Sequence, residues 1–575
     1  MNSRSVSDTL PRRGGEIPAE APIPDYPIFH NLMNVAESSP RRTAVVFGDV
    51  VRVLGNALFD SKLSYGLLLN RVYRFAAALQ QSGVAKGDRV AIHLPNCPQF
   101  VIAYYGALMA GAIVVPCNSA YVARELTHQL VDSASETMVT SGATYPLVKQ
   151  IRSETPLSRI FVTKTEEYFP ALLRISRSLS SARTESHRRH LATDPGVCWF
   201  HDALAAAAPR PLKVDVDMND TAVLMYTGGT TGLPKGAELS HRNIQANAAQ
   251  MGAWLFCFER ADDVILTSLP LFHSYGMTTC MNMGILAGAT LVLITNPREI
   301  AHILKSINRH HPTLYPGVPA LYISLVNHPE IGKYDIRSIR ACISGAAPLP
   351  GDVQDRFQDM TGGRLVEGYG LSEASPVTHA NPIRAENRTG TVGLSLPHTA
   401  ARIVDIETGT RFLDTGETGE LVIRGPQVMK GYWRKPEASA AVLRDGWLHT
   451  GDIASIDDDG YCRIVDRKKD VIVGSGGYKV YPREVEDVLY EHPKVKMCAA
   501  IGVPVHDKDE RVKAFIVLKD ETAACPEEIV AFCAENLAPY KVPRFVEFRD
   551  ALPMTSAGKV LRRVLREEET SSASG

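Results

Sequence analysis

Apolar residues change their spacing several times along the chain, and each change marks an element. Asp88-Arg-Val-Ala-Ile-His-Leu-Pro95 is a short apolar run stopped by proline, which predicts a buried strand. Pro98 to Met109 predicts a helix, and Ala110-Gly-Ala-Ile-Val-Val-Pro116 opens the next strand. The plan returns later: Asp263-Val-Ile-Leu-Thr-Ser-Leu-Pro270, an apolar stretch, then Leu286-Ala-Gly-Ala-Thr-Leu-Val-Leu-Ile294. Strand, Leu-Pro, helix, Ala-Gly-Ala, strand occurs twice in one order, which predicts two related βαβ subdomains. Ligands of such sheets bind at the carboxyl ends of the strands.

Helix and strand continue through Pro312-Thr-Leu-Tyr-Pro316 and Ile339-Arg-Ala-Cys-Ile-Ser344. After about Thr389 the pattern shortens. Ala401-Arg-Ile-Val-Asp405 and Glu420-Leu-Val-Ile-Arg424, separated by Gly-rich turns, predict a small β-rich subdomain. Beyond Arg467 a smaller, more charged unit follows, with Val485 to His492 helical and Ala514-Phe-Ile-Val-Leu518 a strand. The expected fold class is α/β: a large N-terminal domain of two βαβ subdomains plus the β-rich one, then a small α+β C-terminal domain. The expected boundaries are a disordered leader over 1–22, the main domain over 23–466, the C-terminal domain over 467–566 and a disordered tail over 567–575.

Composition removes several function classes. With 62 Lys and Arg against 63 Asp and Glu, the net charge of −1 gives no support for nucleic-acid binding. Ten cysteines stand singly, without metal-ligand spacing, which argues for a reducing cytoplasm and against a disulfide framework or a zinc site. The N-terminus lacks the apolar stretch of a signal peptide. The longest apolar run, Phe100 to Val115, is short for a membrane span and is broken by Gly106 and Gly111. Residues 170–190 mix apolar residues with arginines. They read as a solvated insertion, or as a weak peripheral contact with anionic lipid.

The stretch richest in chemistry is Tyr226-Thr-Gly-Gly-Thr-Thr-Gly-Leu-Pro-Lys-Gly236, between the apolar run Ala222 to Met225 and a helix start at Ser240. Backbone N–H groups, threonine hydroxyls and one lysine converging on a point can hold a phosphate chain. The loop is not a Walker A motif, because Lys235 lies between Pro234 and Gly236. The dinucleotide spacing does not fit either. Further along come Ser344-Gly-Ala-Ala-Pro-Leu349, Glu367-Gly-Tyr-Gly-Leu-Ser-Glu373, Asp445-Gly-Trp-Leu-His-Thr-Gly-Asp452, Asp466-Arg-Lys-Lys-Asp470, Ser475-Gly-Gly477 and Pro553-Met-Thr-Ser-Ala-Gly-Lys559.

In order and spacing, these motifs resemble those of the AMP-forming acyl-CoA synthetases and their adenylating relatives, from about Pro27 to Arg566. The resemblance implies ATP, Mg²⁺ and coenzyme A as cofactors. It implies that Thr227, Gly228, Gly229, Thr230, Thr231, Gly232 and Lys235 grip the outer phosphates, with Mg²⁺ held by Glu373 and Thr227. Gly345, Ala346 and Ala347 would approach the adenine, and Tyr369, between Gly368 and Gly370, would stack on it. Ser372 keeps the hydroxyl of the family's usual threonine. Asp452 matches the ribose-binding aspartate, whose two oxygens can accept from both hydroxyls. Arg467 matches a nucleotide-contacting arginine, and Lys469 the hinge of a mobile C-terminal lid.

Gly476 and Gly477 match the segment beside the pantetheine channel, Lys559 the catalytic lysine, and His273 a position beside the activated carboxylate. Met554 departs from the lysine common there. Gly228, Leu269-Pro-Leu-Phe-His-Ser-Tyr-Gly276 and Ile423-Arg-Gly-Pro-Gln-Val-Met-Lys-Gly-Tyr-Trp433 look most like bacterial long-chain fatty-acid CoA ligases. The implied reaction is adenylation of a fatty acid with loss of pyrophosphate, then transfer to coenzyme A. The alternatives are loading of a carrier protein, medium-chain or aromatic acids, a luciferase-like side activity, and a binding protein without catalysis. The oligomeric state, a homodimer among the options, is left open.

Overall fold

Val90, Ala91 and Ile92 are buried on both faces of the strand Arg89–His93, as befits a central parallel strand. Leu94-Pro95 ends it, and the helix Pro98–Met109 carries the chain back with all twelve of its residues buried. The next strand, Ile113–Pro116, pairs in parallel with the first. Val264–Thr267 and Thr290–Leu293 repeat that parallel pairing in the second half. The two halves are tied at matching points. Asn96, just after Leu-Pro, donates through Nδ2 to the carbonyls of Thr267 and Leu269 at 3.1 and 2.9 Å and accepts from the Leu271 amide at 2.8 Å.

The computed structural model describes residues 17–51, 57–170, 194–227, 233–259, 262–473, 479–506, 509–519, 522–554 and 560–573. One sheet has eight strands in the order Gly431–Tyr432, Lys235–Ser240, Thr221–Thr227, Ile113–Pro116, Arg89–His93, Thr137–Ser141, Arg159–Thr163 and Val197–Trp199. From Thr221–Thr227 onward these are parallel, and the first two are antiparallel additions. The second sheet runs from Ala57–Ser64 through Thr43–Val51, Thr290–Leu293 and Val264–Thr267. Leu314 bridges it to Ala341–Ser344, Arg364–Gly370, Val377–Ala380 and Leu394–Ser395. Side chains of both sheets share one hydrophobic core with the buried helices Pro98–Met109 and His241–Trp254.

The second half departs from the first in its helix. Gly276–Asn282 is a π-helix, followed by one α-turn over Met283–Leu286. Gly276 is required there, because a Cβ would stand 2.4 Å from the Pro270 carbonyl oxygen. The wider turns place Thr278 Oγ1 on the Ser375 carbonyl at 2.6 Å. They also set Asn282 between the hydroxyls of Tyr104 and Tyr105, at 3.0 and 2.9 Å.

Ala400–Val404, Gly419–Arg424, Trp447–Ile456, Leu443–Arg444 and Cys462–Arg467 form the expected β-rich subdomain as a five-stranded sheet. The C-terminal unit has its own core, including Ile472, Val485, Leu489, Ile516 and Ile529. Its strands Val495–His506, Asp509–Leu518 and Phe545–Phe548 carry the helices Pro482–Glu491, Pro526–Asn536 and Arg562–Ala573. It is joined to the rest by an ionic cluster: Arg562 bonds Asp466 at 2.9 Å and also pairs with Asp470 and Glu486.

Two terminal expectations need correction. The tail from residue 567 is not irregular: the last helix runs to Ala573. Its acidic residues pair with neighbouring cations, Glu568 with Arg549 and Glu569 with Lys513, both at 2.6 Å. Of the leader, residues 17–22 are described, and Ala21 is buried with its backbone bonded to His398 Nε2. All ten cysteines are free. Among the described residues no helix is long and apolar enough to cross a membrane. The insertion expected at 170–190 lies outside the described residues beyond Pro170.

Candidate active site

Two paired strands flank the Gly-rich run between Tyr226 and Gly236. Thr221–Thr227 and Lys235–Ser240 are antiparallel, with Thr227 opposite Lys235. Only then does the helix His241–Trp254 begin, capped by Ser240 Oγ on the Asn243 amide. The intervening Gly228, Gly229, Thr230, Thr231 and Gly232 lie outside the described residues, and so do Gly476, Gly477 and Lys559.

The two-residue strand Gly431–Tyr432 pairs with Lys235–Ser240, Tyr432 opposite Ala237. The Trp433 amide donates to the Gly236 carbonyl at 2.8 Å, which fixes the register. That pairing brings the Tyr432 ring to 5.2 Å from Lys235 Nζ. The Tyr432 hydroxyl donates to Glu373 Oε1 at 2.8 Å. Burial and the Glu373 charge push the Tyr432 hydroxyl above its usual pKa, so it stays a donor. Glu373 sits in a single 3₁₀ turn, Ser372–Ala374, just after the strand Arg364–Gly370.

A second cluster adjoins the first. Tyr369, in that same strand, donates its hydroxyl to Asp452 Oδ2. Asp452 lies in Trp447–Ile456 and is almost wholly buried, and its other oxygen pairs with Arg467 Nε. The Asp452 charge holds the Arg467 guanidinium above its ordinary pKa. Arg467 also feels Glu373, so the clusters form one charged surface. Lys469, two residues on, has its ammonium pushed down to about 8 by burial, against the pull of Asp470.

Around these clusters the backbone approaches closely. The Ser274 and Ser372 hydroxyls are 3.1 Å apart. Tyr275 reaches past Gly345 to donate to the Ile343 carbonyl at 2.7 Å. Gly345, Ala346 and Ala347 follow the strand end at Ser344, opposite the end of the strand carrying Gly368 and Gly370. A Cβ at Gly370 would stand 2.2 Å from the Pro376 carbonyl oxygen, so no larger residue fits there. His273 opens onto solvent but is crowded by protein, whose desolvation lowers its imidazole pKa.

Two residues of this site escaped the sequence. Tyr432 lies in a stretch quoted only for its likeness to fatty-acid ligases, and nothing local marks it as a neighbour of Lys235. Glu367 begins the Gly-Tyr-Gly motif, and burial raises its carboxyl to about 7 despite Arg483 nearby. A glutamate set within the strand, directly after the apolar pair Leu365-Val366, was the available signal.

Comparison with known proteins agrees with this geometry. The family model described as AMP-binding enzyme matches residues 32–433, and that described as AMP-binding enzyme C-terminal domain matches 484–559. A long-chain-fatty-acid–CoA ligase of Bacillus subtilis is 44% identical, covering 96% of this chain and 97% of its own. One of Yersinia pestis is 41% identical, covering 97% and 98%. Among solved structures, ATP-bound MatB from Rhodopseudomonas palustris has a TM-score of 0.81 at 29% identity, covering 95% of this chain and 99% of its own. This chain is a member of the AMP-binding enzyme family, the adenylate-forming acyl-CoA synthetases.

Proposed function

We propose that the protein activates a long-chain fatty acid with ATP and passes it to coenzyme A, yielding acyl-CoA, AMP and pyrophosphate. The observation that carries this reading is the junction of two clusters: Tyr369, Asp452 and Arg467 beside Lys235, Tyr432 and Glu373. The first offers an aromatic face, a bidentate acceptor and a cation, which suits a nucleoside. The second offers a cation and a carboxylate, which suits a phosphate chain. The chain-length reading is supported by the names of the relatives.

A carboxylate is a poor electrophile, so it first needs a leaving group. The acid's carboxylate attacks the α-phosphorus of ATP and pyrophosphate departs; the coenzyme A thiol then displaces AMP from the acyl carbon. Charge collects on phosphate oxygens in both steps, so catalysis rests on placement and electrostatics. In this reading Thr227 to Lys235 hold the outer phosphates and Lys559 steadies charge at the reacting carboxylate and α-phosphate. Asp452 receives the ribose hydroxyls, Arg467 pairs with Asp452, and Tyr369, with Gly345 to Ala347, flanks the base. His273 stands beside the carboxylate. Glu373 and Thr227 fit Mg²⁺, a hard cation that takes one or two carboxylates together with substrate phosphates. Bound there, Mg²⁺ would neutralise phosphate charge.

The lid, over 467–566 against a main domain of 23–466, turns about Lys469 so that Gly476 and Gly477 replace Lys559 beside the nucleotide. A peripheral contact of 170–190 with anionic lipid in the cytoplasm belongs to the same reading. Vesicle co-sedimentation with and without that segment tests the contact; equal partitioning would end it. The function itself is tested by pyrophosphate release across acids of about six to eighteen carbons and aromatic acids, with and without coenzyme A. Turnover greatest for long chains and dependent on coenzyme A is expected. Activity confined to aromatic acids, or independent of coenzyme A, would overturn it.

A further inference from the structure

A cavity of about 300 Å³ shares no residue with the candidate active site. It opens where the strands Thr43–Val51 and Ala57–Ser64 meet the helix Tyr65–Gln81 and the turn Thr165–Tyr168. One wall is apolar, made by Val45, Phe47, Leu63 and Phe169, with the Phe47 and Phe169 rings stacked 5.2 Å apart. The other wall carries Lys62 and Arg71.

Two polar groups there lack partners among the described residues. The Tyr168 hydroxyl is buried and makes no hydrogen bond. The Arg71 guanidinium, close enough to act on that hydroxyl, has neither an ion pair nor a hydrogen bond. Leaving a buried hydroxyl unpaired is unfavourable, and phenylalanine would fill the same space without the cost. Glu167, the acidic group in the wall, is already engaged: it accepts from Trp199 Nε1 at 2.6 Å and Thr163 Oγ1 at 3.0 Å and lies 3.2 Å from His201 Nε2. Pro98, the first residue of the long buried helix, completes the wall, and that helix end has no side-chain cap. Its positive end adds to the attraction for an anion.

We propose that this cavity binds an anionic amphiphile, its charged oxygens between Arg71 and the Tyr168 hydroxyl and a short length of hydrocarbon against Phe47, Leu63 and Phe169. The volume is at the lower end for a small-molecule site, enough for a headgroup and a few methylenes. The test is calorimetric titration of the full chain with hexyl phosphate, its nucleotide site saturated with AMP. One bound equivalent is expected, weakened about tenfold or more by Arg71→Gln and several-fold by Tyr168→Phe. Pyrophosphate release should be unchanged in both variants, and neither should lower the thermal midpoint of the free protein; Tyr168→Phe should raise it slightly. No binding to the wild type, or equal binding by both variants, would overturn the site. Inorganic phosphate binding as tightly as hexyl phosphate would overturn the amphiphile.

Discussion

The Tyr432 hydroxyl donates a 2.8 Å hydrogen bond to Oε1 of Glu373, joining a strand added to one sheet with a turn that follows a strand of the other. Tyr432→Phe keeps the ring beneath Lys235 and removes only this bond. A hydrogen bond to a charged group contributes about 1.5–3 kcal/mol, so pyrophosphate release should fall roughly tenfold or more. The Mg²⁺ concentration for half-maximal rate should rise as well. Unchanged kinetics would reduce the contact to packing.

Arg467 is the partner of a carboxylate that water hardly reaches, since Asp452 is 2% exposed. Arg467→Ala leaves that charge without its cation. Unfolding monitored by circular dichroism should show a loss of about 2 kcal/mol, below the figure for a fully buried pair because Arg467 is itself partly exposed. The KM for ATP should rise as well. Stability lost with KM intact would assign the pair to structure alone.

Glu367 couples stability to pH. Its carboxyl is raised by burial from the ordinary 4.5 to about 7 in the folded chain. Between those values the folded state holds a proton that the unfolded state has released, so stability falls as pH rises from 4.5 through about 7. Above that the burial penalty is complete. Glu367→Gln should therefore melt higher than the wild type at pH 8, and the gap should narrow on acidification towards pH 4.5. A gap independent of pH would exclude Glu367 as its source.

Lys559 separates the two half-reactions. Lys559→Ala should lose adenylation, seen as pyrophosphate release, while still forming thioester from supplied acyl-adenylate. Equal loss of both would refute the division of labour. Lys469→Pro tests the hinge from the other side, because proline restricts the backbone rotation that the swing needs. Thioester formation at the normal rate in that variant would remove Lys469 from the hinge.

The parallel strands were legible because Val90 to Ile92 and Val264 to Leu266 form short apolar runs that end at Leu-Pro, and burial and chain direction follow from those letters. Asp452, Tyr369 and Arg467 were legible through resemblance, and the structure brings them into contact. Tyr432 was not legible, because its place depends on a two-residue strand whose partner lies almost two hundred positions earlier. The helical end of the chain was missed for a related reason. Glu568 and Glu569 look like a solvated acidic run until Arg549 and Lys513, from other elements, come alongside.

The π-helix Gly276–Asn282 bears on how the two halves came to differ. It occupies the place that the regular helix Pro98–Met109 holds in the first half, but each π-turn takes in more residues than an α-turn. The repeats therefore cannot be superposed residue for residue through this segment. Shortening the segment would turn Thr278 and Asn282 away from Ser375 and the paired tyrosines. The copy that bears His273 and Tyr275 is thus the one whose helix departs from regular winding, and its length is tied to the bonds that Thr278 and Asn282 make across the core.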